Sequence, residues 1–350
     1  RDFCLSRGLG DVYKRQANEE LRMKKLLKKT LKLILPVVLG GFILFWVYRD
    51  FDFTKAGDVL LHGTNWWWML FSLVFGVFAQ VFRGWRWRQT LEPLDAFPKK
   101  SDCVNAIFIS YAASLVVPRI GEVSRCGVLA KYDNVSFAKS LGTVVTERLV
   151  DTLTILLITG ITVLLQLPIF VTFLQQTGTK IPSLVHLLTS VWFYIILFCF
   201  IGVAILLYYL RKTLFFYERV KGFVLNIWEG IMSLKGVRNI PLFIFYTLAI
   251  WACYFLHFYF TFYCFAFTAH LGILAALVMF VGGTFAVIVP TPNGAGPWHF
   301  AIISMMMLYG VNVTDAGIFA LIVHGIQTFL VVLLGIYGFA VLSFTNRHRG

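Results

Sequence analysis

Six stretches of this chain, residues 33–48, 66–82, 141–167, 191–210, 240–268 and 317–342, are strongly apolar, and all but 141–167 contain no Asp, Glu, Lys or Arg. They are also close to the length of about 20 residues that a helix needs to cross a bilayer. That pattern leaves little choice of fold class. Composition agrees: 59% of residues are hydrophobic and 14% are charged, against about 25% charged in a soluble domain. Thirty-five Phe and ten Trp suit lipid-facing helix surfaces and interfacial belts. The net charge of +14 belongs with cytoplasmic loops, and with no nucleic-acid motif beside it no nucleic-acid partner is expected. The six cysteines, Cys4, Cys103, Cys126, Cys199, Cys253 and Cys264, form no C-x-x-C pair, so neither a zinc site nor a disulfide framework is expected. Residues 1–22 are polar and aperiodic and read as a non-native or disordered leader. Residues 23–350, from Met23, read as a single transmembrane domain.

Two further apolar stretches are different, the first of them short. One, 103–117, stops at Pro118; the other, 271–289, stops at Pro290 and is followed by 298–309. They read as broken or re-entrant helix pairs. Placing the Lys24–Lys32 cluster inside tests the count, because cytoplasmic loops collect Lys and Arg. With about six full spans and two re-entrant pairs, 22 Lys/Arg from Met23 onward fall inside and three outside. The expected fold is therefore an all-α polytopic membrane protein with both ends cytoplasmic. For a bacterial chain the membrane is the cytoplasmic (inner) one.

The two broken regions echo each other. Val116-Val117-Pro118-Arg119-Ile120-Gly121-Glu122 and Ile288-Val289-Pro290-Thr291-Pro292-Asn293-Gly294 each run from apolar residues through Pro to Gly. In this topology one opens inward and the other outward. Transporters with inverted repeats build a midplane site from broken helices in that way. Two ordinary interhelical loops fit the same letters.

Charge at membrane depth is expensive and marks either a pathway or a clasp between helices. Glu147, Arg148 and Asp151 open the long apolar stretch 141–167. Glu147 and Asp151 are four apart and share a helix face, and Arg148 is within reach of Asp151. Arg119, Glu122 and Arg125 are spaced by three along a helix that begins after Pro118. Arg119 falls at that helix's N-terminus, where N–H groups and the helix dipole favour an anion, and arginine adds a fork that suits phosphate. Snorkelling interface arginines are the alternative. Pro290, Asn293, Gly294, Gly296 and Trp298 make a tight, Gly-rich turn that lets backbone approach a ligand. Trp85 and Trp87, interleaved with Arg83, Arg86 and Arg88, read as interfacial anchors. His299 and His324 sit in apolar surroundings, as packed histidines or a proton relay.

The runs P-R-I-G-E-V-S-R (118–125), E-R-L-V-D (147–151) and P-T-P-N-G-A-G-P-W (290–298), in this order, resemble the transmembrane domain of lysylphosphatidylglycerol synthases. That domain also occurs as stand-alone flippase-like proteins. The resemblance implies a lipid-moving domain without the aminoacyl-transferase, with Arg119, Glu122, Arg125, Glu147, Arg148 and Asp151 carried over. The family usually has an acidic residue just after the Gly-x-Gly turn, where this chain has His299. The expected function is translocation of a phosphate-bearing polar lipid, a membrane phospholipid or similar, between leaflets, without cofactor or metal. No G-x-x-x-x-G-K-[ST] loop is present for ATP. A homo-oligomer is compatible with the sequence. Two rivals remain: a transferase acting on a lipid-linked substrate, with Asp50-Phe51-Asp52 as its D-x-D pattern, and a non-transporting accessory subunit of a cell-envelope pathway.

Overall fold

The computed structural model describes residues 34–167 and 236–345, and the elements among them are helical, with no strand. Helix α1, Ile34–Tyr48, leads into α2, Phe53–Asp58, which a π turn extends to Gly63. The two meet at 97°. The turn has a local cause: the Asp52 carboxylate accepts from the backbone N–H groups of Thr54 and Lys55, capping α2 at a new angle. Asn65 caps α3, Trp66–Leu91, in the same way through the N–H groups of Trp67 and Trp68. Helix α4, Lys100–Val116, ends just before Val117-Pro118, where proline disfavours helix in the residue ahead of it. Then come α5, Ile120–Tyr132, and α6, Phe137–Leu165. After residue 236 the chain forms α7, Ile240–Tyr259, with Pro241 in its first turn, then α8, Ile273–Ala286, α9, Pro297–Leu308, and α10, Val313–Thr345.

Among the described residues, four helices are long and apolar enough to cross a membrane: Trp66–Leu94, Phe137–Leu165, Ile240–Cys264 and Val313–Thr345. The bent pair α1/α2 makes five if it counts as one span. Five of the six expected stretches therefore fall on these helices and the bent pair. The first apolar stretch is a short helix broken at the Asp52 cap, and the stretch 191–210 lies outside the described residues, as does the leader 1–22. The chain is a multi-pass membrane protein.

The two short apolar regions each fold into a helical hairpin, α4 on α5 and α8 on α9. Their directions can be read along α10, which at 33 residues is about 50 Å long. Near its start, Gly317 O accepts a hydrogen bond from the Tyr48 hydroxyl. Farther along, the tip of the α8/α9 hairpin is bound: Asn293 O meets His324 and the Asn293 amide donates to Thr328. Beyond that, Gly335 lies against Ala112 of α4, and Gly338 against Asn105. Helix α4 thus runs antiparallel to α10, its tip toward the middle and its root toward the C-terminal end. The α8/α9 hairpin has its root at the N-terminal end, since α9 is joined to α10 by residues 309–312. The hairpins enter from opposite ends of α10 and point at each other.

Gly121 shows how tightly the first hairpin closes. A Cβ there would lie 2.1 Å from the Ser110 carbonyl oxygen, so only glycine lets α5 fold back on α4 at this point. The Gly121 N–H donates to the Ser114 hydroxyl, which replaces one of the bonds a helix N-terminus lacks.

Candidate functional site

The tips of the two hairpins meet. Arg119, at the tip of the first, donates from Nη2 to the backbone carbonyl of Ile288 in the loop that follows α8, at 3.5 Å. It is exposed and adopts a left-handed backbone, φ 65°. For a residue with a Cβ that conformation costs on the order of 1 kcal/mol, and such strain gathers at functional positions. Of the expected site residues, Arg119 is the cation left at the junction of the loops. Pro290 is exposed where the second loop begins, and Gly294 and Gly296 take positive φ within it. A Cβ at Gly296 would lie 2.9 Å from the Gly40 carbonyl, so α1 packs against the backbone of this loop.

Behind the first tip lies a buried ionic cluster that joins three helices. Glu147 and Asp151, one turn apart on α6, face inward as their spacing predicts. Arg125 of α5 reaches Glu147 at 2.6 Å. Arg86 of α3 reaches Asp151 at 2.7 Å and Glu147 at 3.7 Å. Arg83 of α3 reaches Asp151 at 3.0 Å. Aromatic rings line the same space. The Arg125 guanidinium lies 4.6 Å from the Trp87 ring centroid, and the Trp87 indole N–H donates to Thr143 of α6. Arg86 also donates to Thr247 of α7.

Several expectations change here. Arg83, Arg86 and Trp87 are not interfacial anchors, being buried at 3%, 0% and 0% exposure. Helix α3 continues nine residues past Phe82 because the carboxylates of α6 neutralise its arginines. Arg148 does not pair with Asp151. It turns outward to Glu122 at 3.0 Å, both half-exposed, while Asp151 is taken by α3. Arg125, 1% exposed, is held by Glu147 and Trp87 and does not share the open junction with Arg119. The α3 arginines left one signal in the sequence. Two cations three apart, running on from an apolar helix, require carboxylates, and Glu147 and Asp151 are spaced to supply them.

The second tip is built without charge. His299 of α9 and His324 of α10 lie with ring centroids 4.5 Å apart. The Gly296 N–H donates to His299 Nδ1 at 3.4 Å. His324 Nε2 lies 3.1 Å from the Asn293 carbonyl, which only accepts, so that nitrogen carries the proton. Trp298 covers His324 at 5.1 Å, and Tyr48 meets His299 edge-on at 5.7 Å. Asn293 takes φ 52°, a conformation asparagine tolerates better than most residues.

The sequence model of one protein family, described as the lysylphosphatidylglycerol synthase TM region, matches residues 33–335. No curated protein matches the chain. No solved structure matches it either.

Proposed function

The chain belongs to the lysylphosphatidylglycerol synthase TM region family, and from that premise we propose that it is a lipid translocase. In this reading it moves a phosphate-bearing polar lipid between the leaflets of the bacterial cytoplasmic membrane, with both chain ends in the cytoplasm. The observation that carries the reading is the meeting of two opposed hairpin tips at mid-length of α10, with the strained, exposed Arg119 at the contact. Non-helical backbone at membrane depth is tolerated only where protein buries it or water reaches it. Two such tips end to end make a place where a polar head group can leave water while its acyl tails stay in lipid.

Each part then has a role. Arg119 contacts the lipid phosphate, as a single exposed guanidinium suits. The Arg83–Arg86–Arg125–Glu147–Asp151 cluster holds the first hairpin in register against α3 and α6 rather than binding substrate. The half-exposed Glu122–Arg148 pair, on the outer side of that cluster, adjusts access. The two hairpins act as the halves of an inverted repeat, and rocking of one against the other exposes the junction to either side. In the Asp50-Phe51-Asp52 pattern, Asp52 caps α2 and Asp50 pairs with Arg49.

The test is leaflet exchange of head-group-labelled lipids in proteoliposomes, across zwitterionic, anionic, aminoacylated and polyprenyl-phosphate lipids. Exchange that Arg119→Ala abolishes, with the protein still folded, is the expected result. Folded protein that exchanges none of these lipids would refute the translocase reading.

A further inference from the structure

We propose that His324 is a proton-binding site whose occupancy locks the tip of the second hairpin in place, with His299 as its permanently neutral partner. Two hydrogen bonds to one loop make the rings unequal. His299 Nδ1 accepts from the Gly296 N–H, so a proton on that nitrogen would set two donors against each other and break the contact. His324 Nε2 already carries its proton and gives it to the Asn293 carbonyl. A second proton enters at Nδ1 and leaves that bond intact.

Of the two rings, His324 is the one placed to hold a cation. Its ring lies against the Trp298 indole at 5.1 Å, an aromatic partner suited to a cation, and its bond to Asn293 O becomes charge-assisted and stronger. Two imidazolium ions with centroids 4.5 Å apart would repel, so the pair takes one proton. The other groups facing it carry no compensating charge. Tyr48 of α1 meets His299, Asn293 and Thr328 close the loop side, and α8, packed against α9, contains no titratable side chain. Arg119 of the opposite tip reaches the same loop at the Ile288 carbonyl. No carboxylate is among these contacts.

The consequence concerns backbone. Asn293 is bound at both ends by α10, through His324 and Thr328, so a charged His324 tightens the hold of α10 on the loop. The site exists with or without a lipid and is tested without one. Hydrogen–deuterium exchange is followed for peptides covering 290–299 in the whole protein in detergent, at pD 8 and pD 5, with intrinsic rates corrected. Protection of the loop should rise several-fold at pD 5. His324→Gln keeps an N–H donor for Asn293 O but no basic nitrogen, and should leave protection equal at both pD values. His299→Asn keeps an acceptor for Gly296 and should preserve the response. Unchanged protection in the wild-type protein overturns the proposal, as does a response that survives His324→Gln. Lower protection at pD 5 overturns it too, since that result would put the proton on His299. Should a variant fail to fold, the wild-type comparison still overturns the proposal if protection does not rise at pD 5.

Discussion

The two hairpins have the same plan, with α4/α5 and α8/α9 each a pair of short helices around a Pro-containing tip, yet they are fastened by opposite means. The first is tied by formal charge. Arg125 of α5 is bound to Glu147, which sits with Asp151 among two more arginines from α3. The second is tied by neutral groups: a ring nitrogen under Gly296, another under the Asn293 carbonyl, and an amide on Thr328. Three guanidinium groups against two carboxylates in a buried space hold one another by attraction, and removing one member leaves the rest uncompensated. Neutral hydrogen bonds to backbone contribute about 1 kcal/mol each and are exchanged easily. The contrast implies that the first hairpin is the fixed half of the molecule and the second the half that moves.

The largest effect that sharpens this contrast is at Glu147. Replacing it by Ala leaves Arg125 and part of Arg86 without their counter-charge in the interior. The expected loss is about 3–5 kcal/mol, measured by chemical unfolding in detergent. Glu147→Ala combined with Arg125→Met removes both charges and should recover much of that loss. A small loss in the single variant would break the comparison, because the first hairpin would then be no better tied than the second. Asn293→Ala is the matching change in the second hairpin. It removes the bond to Thr328 and puts a residue less tolerant of φ 52° at the tip, and it should cost about 1–2 kcal/mol. The order of these two losses is the quantity to check.

How much of this was legible in the sequence follows from how local each feature is. The shared face of Glu147 and Asp151 is a matter of spacing by four on one helix, and the structure buries both. The break at Pro118 is backbone chemistry and stands where proline puts it, whereas α8 already ends at Ala286, ahead of Pro290. The choice of partners was not legible. Arg148 is the nearest cation to Asp151 in sequence, yet Arg83 and Arg86 take that carboxylate from 68 and 65 positions away. Only the packing of α3 against α6 brings them there. The same holds for His299 and His324, 25 residues apart, which meet because α9 folds back on α10. The α1/α2 bend was missed for a different reason. It depends on one aspartate cap in a stretch that read as an ordinary polar loop.

Arg148→Ala is a smaller test. Its pair with Glu122 is half-exposed, and pairs of that kind contribute about 0–1 kcal/mol. Unfolding should shift by no more than about 0.5 kcal/mol, while the rate of lipid exchange changes if the pair adjusts access. A loss near that of Glu147→Ala would extend the fixed cluster out to α6's exposed face and narrow the moving part.

The smallest expected effect on stability separates strain from substrate contact. Arg119 holds φ 65°, and its side chain makes a long bond, 3.5 Å to Ile288 O. Arg119→Gly relieves the left-handed conformation at the expense of extra freedom in the unfolded chain, and these terms are of similar size, each about 1 kcal/mol. Unfolding should therefore move by less than about 1 kcal/mol, in either direction, while lipid exchange is lost. If Arg119→Gly instead unfolds the protein as Glu147→Ala does, the tip arginine is part of the fastening and the junction has no free cation for a phosphate. If it leaves both stability and exchange intact, the strain at the tip serves neither role. Loss of exchange with stability unchanged is the one result that assigns the strained arginine to the moving lipid, at the point where the fixed hairpin meets the mobile one.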